Sequence, residues 1–249
     1  MKKTGVLSTR GLTATATAAL MAAVAFTAQP ALAEEEETKI LGGSISGNVG
    51  FYTDYIYRGV TQTDNEAAIQ GGIDWAHDSG FYVGAWGSNV DFNDGDQASI
   101  EVDVYAGFGN SLESVPELSY DVGFLYYWYP GATSSLDYDF WEVYGSLAYD
   151  FDVAAASVGI AYSPEFFGDT GDAIYYQLGL DVPLPYDVGF SAGYNFQTFN
   201  ESAQDDYSDW NVGLSYAVWD LDLSLTYSET VDLGTSDNEA LTFGVAYSF

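Results

Sequence analysis

The feature that most constrains this chain is a period of two that recurs along almost its whole length. In residues 98–108, Ala98, Ile100, Val102, Val104, Ala106 and Phe108 are apolar, while Ser99, Glu101, Asp103, Tyr105 and Gly107 alternate with them. Side chains alternate across a strand, so this spacing puts one set on each face of a sheet. Residues 241–249 repeat the pattern, with Leu241, Phe243, Val245, Tyr247 and Phe249 on one face and Thr242, Gly244, Ala246 and Ser248 on the other. An apolar, aromatic strand at a free sheet edge invites aggregation, and closing the sheet into a barrel removes the edge.

Twelve alternating segments are expected, near 44–58, 66–76, 80–90, 98–109, 117–129, 138–150, 152–163, 172–182, 186–199, 208–218, 220–230 and 240–249. Most run to 10–14 residues, enough for a tilted strand to cross hydrocarbon and longer than the about five or six usual in soluble sheets. An even number suits a bacterial single-chain barrel. After residue 33 no apolar run is long enough for a transmembrane helix, so a membrane form of this chain must be a barrel. The connections alternate too. Long polar ones are expected at 60–65, 91–97, 130–137, 164–171, 200–207 and 231–239; tight ones at 77–79, near 151, at 183–185 and near 219, with 110–116 the longest of the tight set. Long extracellular loops and short periplasmic turns produce this alternation, and a soluble β-sandwich does not. The predicted fold is therefore all-β, a transmembrane antiparallel up-and-down barrel of 12 strands.

The first 33 residues read as a secretory signal peptide. Lys2, Lys3 and Arg10 precede the short apolar stretch 20–26, and Ala31-Leu32-Ala33 supplies a cleavage site. Residues 34–43 form a short acidic periplasmic leader, and 44–249 the barrel. All 37 acidic residues lie beyond the signal peptide, where only Lys39 and Arg58 are basic. Nothing neutralises a phosphate backbone, which excludes nucleic acid. There are no cysteines, so disulfides contribute no stability.

Aromatic residues gather near the strand ends, at Tyr55, Tyr57, 126–129, 138–141, Tyr149, Phe151, Phe196, Phe199 and Trp219. Interfacial girdles are the expectation, with packing inside the sheet as the alternative.

One stretch is more specific. Asp54-Tyr55 with Arg58-Gly59 (D-Y-x-x-R-G) is followed by T-Q-T-D-N at 61–65, Ile69-Gln70-Gly71-Gly72, Ser79-Gly80-Phe81-Tyr82 and Trp86-Gly87-Ser88-Asn89-Val90. This order resembles the N-terminal signature of the TorF-type family of proposed porins, a proteobacterial family of unknown function. The likeness covers the first two hairpins; later strands agree in pattern and in the aromatic terminus. It implies an outer-membrane barrel in a Gram-negative bacterium, with a channel role, and supplies no substrate. Phe243, Tyr247 and Phe249 would form the C-terminal signal read by the barrel-assembly machinery.

Parity selects the residues facing the lumen: Asp54, Arg58, Asp74, Glu101, Asp103, Asp121 and Glu142, together with Asn195, Gln197 and Asn211. Carboxylates cost less in a polar lumen than against lipid, and rings of them select cations. If the first strand runs to residue 58, Asp54 and Arg58 share a face roughly 13 Å apart and cannot touch. Arg58 then either sits near the outer mouth and pins the first loop or a cross-lumen ion-pair network, or lies in water as a rim charge of little worth. The acidic loop clusters (91–96, 169–172, 205–206 and 237–239) are accounted for by hydration; the sharper alternative is a divalent ion bridging loops or lipopolysaccharide phosphates. The single histidine, His77, falls in a predicted periplasmic turn away from any partner, so an enzyme is not expected. No cofactor or metal is expected. The expected function is passive diffusion of small hydrophilic solutes or ions with a bias toward cations. The alternative is a non-conducting structural or surface-binding barrel whose acidic loops bind ions. Lipid, lipopolysaccharide and the assembly machinery are the expected partners.

Overall fold

Alternation in the sequence becomes alternation in space in a computed structural model, which describes residues 39–95, 98–200, 204–232 and 238–249. The expected signal peptide, residues 34–38 of the leader, and Asp96 and Asp237 of the acidic clusters lie outside the described residues. The chain forms β1 (Gly43–Tyr52), a miniature hairpin of β2 (Ile56–Tyr57) and β3 (Val60–Thr61), β4 (Ala68–His77), β5 (Phe81–Asn89), β6 (Ile100–Leu112) and β7 (Val115–Trp128). It continues with β8 (Phe140–Asp150), β9 (Ala155–Ser163), β10 (Ala173–Leu184), β11 (Val188–Phe199), β12 (Tyr207–Val218), β13 (Leu221–Val231) and β14 (Glu239–Ser248). All except β2 and β3 join in one closed antiparallel barrel of 12 strands. No helix of the described residues is long and apolar enough to cross a membrane.

The seam is β1 against β14, in register from Asn48↔Ser248 to Tyr52↔Gly244. Gly47 and Phe249 extend it by exchanging both backbone hydrogen bonds, at 2.8 and 2.9 Å. Phe243, Tyr247 and Phe249 all face outward and are exposed.

The barrel is inside-out compared with a water-soluble protein. Ile69, Ile73, Val104, Val122, Phe124, Val143, Leu178 and Leu241 are exposed on its outer wall, whereas Gln70, Glu101, Asp103, Asp121, Glu142 and Gln197 are buried within. A continuous apolar exterior over a polar interior is the surface of a transmembrane barrel. The aromatic run at 126–129 is divided by the same rule: Tyr126 and Trp128 point out, Tyr127 and Tyr129 in. The outward orientation that a girdle requires is found for Trp128, Trp141, Tyr149, Phe151, Phe196 and Trp219, the last 92% exposed. It fails for Tyr55, Tyr127, Tyr129, Tyr138 and Phe140, which pack inside.

At the end where β1 begins and β14 ends, connections are short: 78–80, 113–114, 151–154, 185–187 and 219–220. Tyr186 and Asp187 both take left-handed conformations (φ 70° and 58°) in one such reversal, which matches the twist of the flanking strands. At the other end connections are long: 53–67, 90–99, 129–139, 164–172, 200–206 and 232–238. Two expectations need correction. The turn expected over 110–116 shrinks to residues 113 and 114, because β6 and β7 continue pairing to Leu112↔Val115 through an irregularity at Ser111 and Leu112. The first strand ends at Tyr52 rather than 58, so Asp54 and Arg58 do not share a strand face.

The reason lies in a network of local hydrogen bonds. Asp54 Oδ1 accepts hydrogen bonds from the hydroxyls of Thr61 (2.7 Å) and Thr63 (2.9 Å). Thr63 Oγ1 accepts one from the Tyr55 N–H at 3.2 Å. An Asp that binds nearby hydroxyls offers the backbone a turn in place of a ladder. Arg58 (φ 49°) and Gly59 (φ 80°) form the left-handed tip.

Candidate functional site

Residues 53–67 fold inward and lie across the lumen as a strap. On one wall, Tyr55 donates its hydroxyl to Glu101 of β6 (2.9 Å), and Tyr57 donates to the hydroxyl of Tyr127 of β7 (3.0 Å). Tyr127 in turn donates to Glu142 of β8 at 3.2 Å. On the opposite wall, Tyr207 of β12 donates its hydroxyl to the Arg58 carbonyl (3.2 Å), and Asn238 donates to the Gly59 carbonyl (2.9 Å). In the closed strand order, β6 and β12 are diametrically opposed. The strap therefore spans the barrel.

Arg58 is its clamp. One guanidinium nitrogen donates to both Glu142 oxygens at 2.7 Å, and the other donates to Gln197 Oε1 of β11 at 2.8 Å. Arg58 is 4% exposed and Glu142 is 1% exposed. Burying two charges is costly, and the cost is recovered only with good geometry and further hydrogen bonds. Here the guanidinium also lies over the rings of Tyr175 (4.3 Å), Tyr57 (4.8 Å) and Phe166 (5.3 Å), whose negative faces favour a cation. Close behind, Asp209 of β12 accepts from Tyr175 (2.8 Å) and Asn195 (2.7 Å).

Above the strap on the β5–β9 side, the long loops build an aromatic cap. Phe167 stacks on Tyr138 (4.3 Å between centroids) and meets Phe92 edge-on at 5.1 Å; Phe140 stacks on Tyr127 at 4.1 Å and packs on Phe166 at 4.8 Å. The Tyr138 hydroxyl bonds Asp94 across two loops.

Below the strap, toward the short turns, tyrosines and carboxylates pair along β4 to β8. Tyr105 donates to Asp74 at 2.5 Å, Tyr82 donates to Asp121 at 2.8 Å, and Tyr82 and Tyr144 share a 2.5 Å hydroxyl contact. One oxygen of Asp103 and one of Asp121 are buried without a protein partner among the described residues. The opposing wall differs. There, small hydroxyl and glycine residues of β11 to β14, with Tyr52, Asp54 and Gln70, leave a small recess of about 60 Å³ that opens to solvent.

The residues chosen by parity thus separate into two levels. Arg58 gathers Glu142 and Gln197 directly, with Glu101 and Asn195 linked through Tyr55 and Asp209; Asp103 shares the inner face of β6 with Glu101. Asp74 and Asp121 belong to the lower level, Asn211 is half-buried, and Asp54 holds the strap's own turn. Parity also selects Asp209, two residues from Asn211, and the inward tyrosines, although these were absent from the expected set. His77 ends β4 at the short-turn end, its ring bonded to Ser79 at 2.8 Å.

Solved porins have the same fold. The KdgM porin superposes with a TM-score of 0.55 at 16% identity, covering 82% of this chain and 99% of that one. The NanC porin gives 0.55 at 11% identity, covering 83% and 99%. The KdgM porin in complex with disordered oligogalacturonate gives 0.54 at 14% identity, covering 82% and 98%. No curated protein matches the sequence. A family profile matches residues 37–246, almost all of the barrel, under the description "bacterial protein of unknown function" rather than the TorF-type label. This chain therefore belongs to the Gcw_chp family of bacterial proteins of unknown function.

Proposed function

We propose that this protein is a passive channel of the Gram-negative outer membrane, carrying small hydrophilic solutes and ions with a bias toward cations. The observation that carries this reading is the polar, carboxylate-rich lumen of a closed barrel, narrowed by a strap whose clamp is the guanidinium of Arg58. Eight strands close around packed side chains and 16–18 leave an open pore; a 12-stranded barrel with an inward strap fits a narrow path. Glu101, Asp103, Asp121 and Asp209 are buried on the inner side of the barrel wall, with Asp74 bonded to Tyr105 beside them, and inward carboxylates favour cations over anions. An oligogalacturonate, an anionic sugar chain, would meet these carboxylates, so the likeness to the KdgM porin is taken as one of fold. Export through the signal peptide at 1–33, recognition of Phe243, Tyr247 and Phe249 by the assembly machinery, and contact with lipid and lipopolysaccharide belong to the same reading. The TorF-type resemblance fits it as well.

A second reading has its own observation: the strap and the aromatic cap together fill much of the long-loop mouth. A sealed barrel that binds ions or envelope components through its loops would look like this. Reconstitution of the mature chain in planar bilayers under a salt gradient separates the two. Discrete openings with a reversal potential toward the cation value are expected, with Glu101→Gln plus Asp103→Asn moving it toward zero. A barrel silent at all voltages would replace the channel with the binding role, and an anion-selective current would remove the cation bias.

A further inference from the structure

The short-turn half of the lumen holds a regularity that no single strand reveals. Asp181 of β10 shares the inner face with buried Tyr175, while Leu178 and Leu180 are exposed outside. Asp222 of β13 shares it with buried Ser228 and Thr230, while Leu225 is exposed outside. With Asp74 of β4 and Asp121 of β7, they put an inward carboxylate on every third strand of the closed order.

The pairings fix their heights. From Asp74 the ladder passes through Gly84 and Tyr105 to Leu125, and Asp121 lies four residues nearer the short-turn end. From Asp121 it passes through Ser146 and Gly159 to Gln177, and Asp181 lies four residues nearer that end. From Asp181 it passes through Ser191 and Gly213 to Thr226, and Asp222 again lies four residues nearer. From Asp222 it passes through Ala246 and Gly50 to Gln70, four residues above Asp74. Strands in a barrel tilt, and their register staggers by a fixed amount. One step that returns to its starting residue after four repeats is a pure rotation. The four aspartates therefore stand at one level, a quarter-turn apart.

No side-chain cation of the protein sits among them. The lysine and arginine side chains of the described residues are Lys39, paired with Asp78, and Arg58, paired with Glu142. Asp121 is 3% exposed, and its Oδ2 is buried without a partner among the described residues. That oxygen lies over Gly109, where a Cβ would come within 2.7 Å of it. Asp74, Asp181 and Asp222 stay partly exposed, so mobile cations can reach this level and balance it. Adjacent members are three strands and four residues apart, roughly 20 Å along the wall at about 4.8 Å per strand and about 3.3 Å per residue. No ion touches two of them, and no group of three or more ligating side chains among the described residues could hold a metal. A ring this wide attracts a cation with its water shell in place and does not sort cations by size.

We infer that Asp74, Asp121, Asp181 and Asp222 form the charge-selective ring of the channel, admitting hydrated cations by sign and not by identity. The inference rests on the channel reading and locates a source of its cation bias below the strap.

Reversal potentials of the refolded mature chain in planar bilayers under KCl gradients test it. The Debye length is about 30 Å at 0.01 M salt and about 3 Å at 1 M, so the cation-to-anion permeability ratio should fall at least about tenfold between these limits. Sodium and potassium should permeate within about twofold of each other. Asp181→Asn plus Asp222→Asn, which keep shape, should lower the low-salt ratio at least about threefold with the folded electrophoretic mobility unchanged. Asp187→Asn plus Asp220→Asn removes the same charge from exposed turns at that end and should change the ratio less than about 1.5-fold. A wild-type ratio in the ring variant, an equal loss in the turn variant, a preference that persists at 1 M, or strong sorting of sodium from potassium would overturn the inference. A conducting, cation-preferring barrel indifferent to Asp181 and Asp222 loses the ring and keeps the channel. A barrel silent at every voltage loses the channel, and the ring's role with it.

Discussion

Replacing Arg58 by alanine isolates the clamp. The substitution removes two contacts of 2.7 Å to Glu142, one of 2.8 Å to Gln197, and the stacking on Tyr175, Tyr57 and Phe166. Glu142 then keeps only the Tyr127 hydroxyl at 3.2 Å in a site closed to water. Stranding one partner of a buried pair costs about 3–5 kcal/mol. That cost falls on the strap and not on the wall, because β1 pairs directly with β4 from Gly43↔His77 to Tyr52↔Ala68 without using residues 53–67. At about 1.4 kcal/mol per factor of ten, strap docking should weaken by roughly two to three and a half orders of magnitude. Single-channel current should rise and become noisier, and chymotrypsin should gain access to Tyr55 and Tyr57. The folded electrophoretic mobility should stay as in wild type. Adding Glu142→Leu removes the stranded charge and should restore part of the protection. Wild-type conductance together with a protease-resistant strap in Arg58→Ala would refute the clamp.

Three further outcomes follow from local geometry. Gly59→Ala should loosen the strap by about 1–3 kcal/mol, since φ is 80° and the new Cβ would sit 2.5 Å from Thr230 Cγ2 and 2.7 Å from Asp209 Cβ; unchanged single-channel current in this variant would argue against close docking. Deleting Phe249 removes the paired hydrogen bonds to Gly47 at 2.8 and 2.9 Å, about 0.5–1.5 kcal/mol each, and should slow seam closure in a vesicle-folding assay followed by gel mobility; a wild-type rate would remove the assembly role. The Lys39 ammonium, bonded to the Asp78 carboxylate at 2.6 Å, lowers that carboxyl below its ordinary value. Attachment of residue 39 to the turn at 78–80 is thus present at neutral pH and is lost as pH falls through the lowered value. Carbon NMR of the Asp78 carboxyl should show an acidic midpoint that returns to the ordinary range in Lys39→Ala.

Which features were legible in the sequence follows from the range of the forces involved. Strand number, inward parity and the long–short alternation of connections all rest on local periodicity, and Glu101, Asp103, Asp121 and Glu142 were found by parity alone. The inward fold of 53–67 was not legible as such. Tyr55, Tyr57 and Arg58 continue the alternation of β1, so periodicity extended the strand through them. What ends it is the Asp54 grip on Thr61 and Thr63, together with acceptors on β8 and β11 that no local pattern brings near. The same limit hid the cap. Tyr127 and Phe140 have girdle composition although strand parity turns them inward, and only loop packing brings Tyr138 and Phe167 into the cap beside them. The hydroxyl-lined recess was illegible for another reason: serine, threonine and glycine on alternate strand positions carry no motif until closure sets them against Tyr52 and Gln70.

The strap also has consequences for timing. Arg58 finds its acceptors 84 and 139 residues further along the chain, and the Gly59 carbonyl finds its donor 179 residues on. The contact to Asn238 cannot form before the last hairpin arrives, and contacts so distant in sequence form late. The ring must close before the bolt can slide across it. Docking of the strap is thus expected to complete only after the wall has closed, as the last step in forming the barrel.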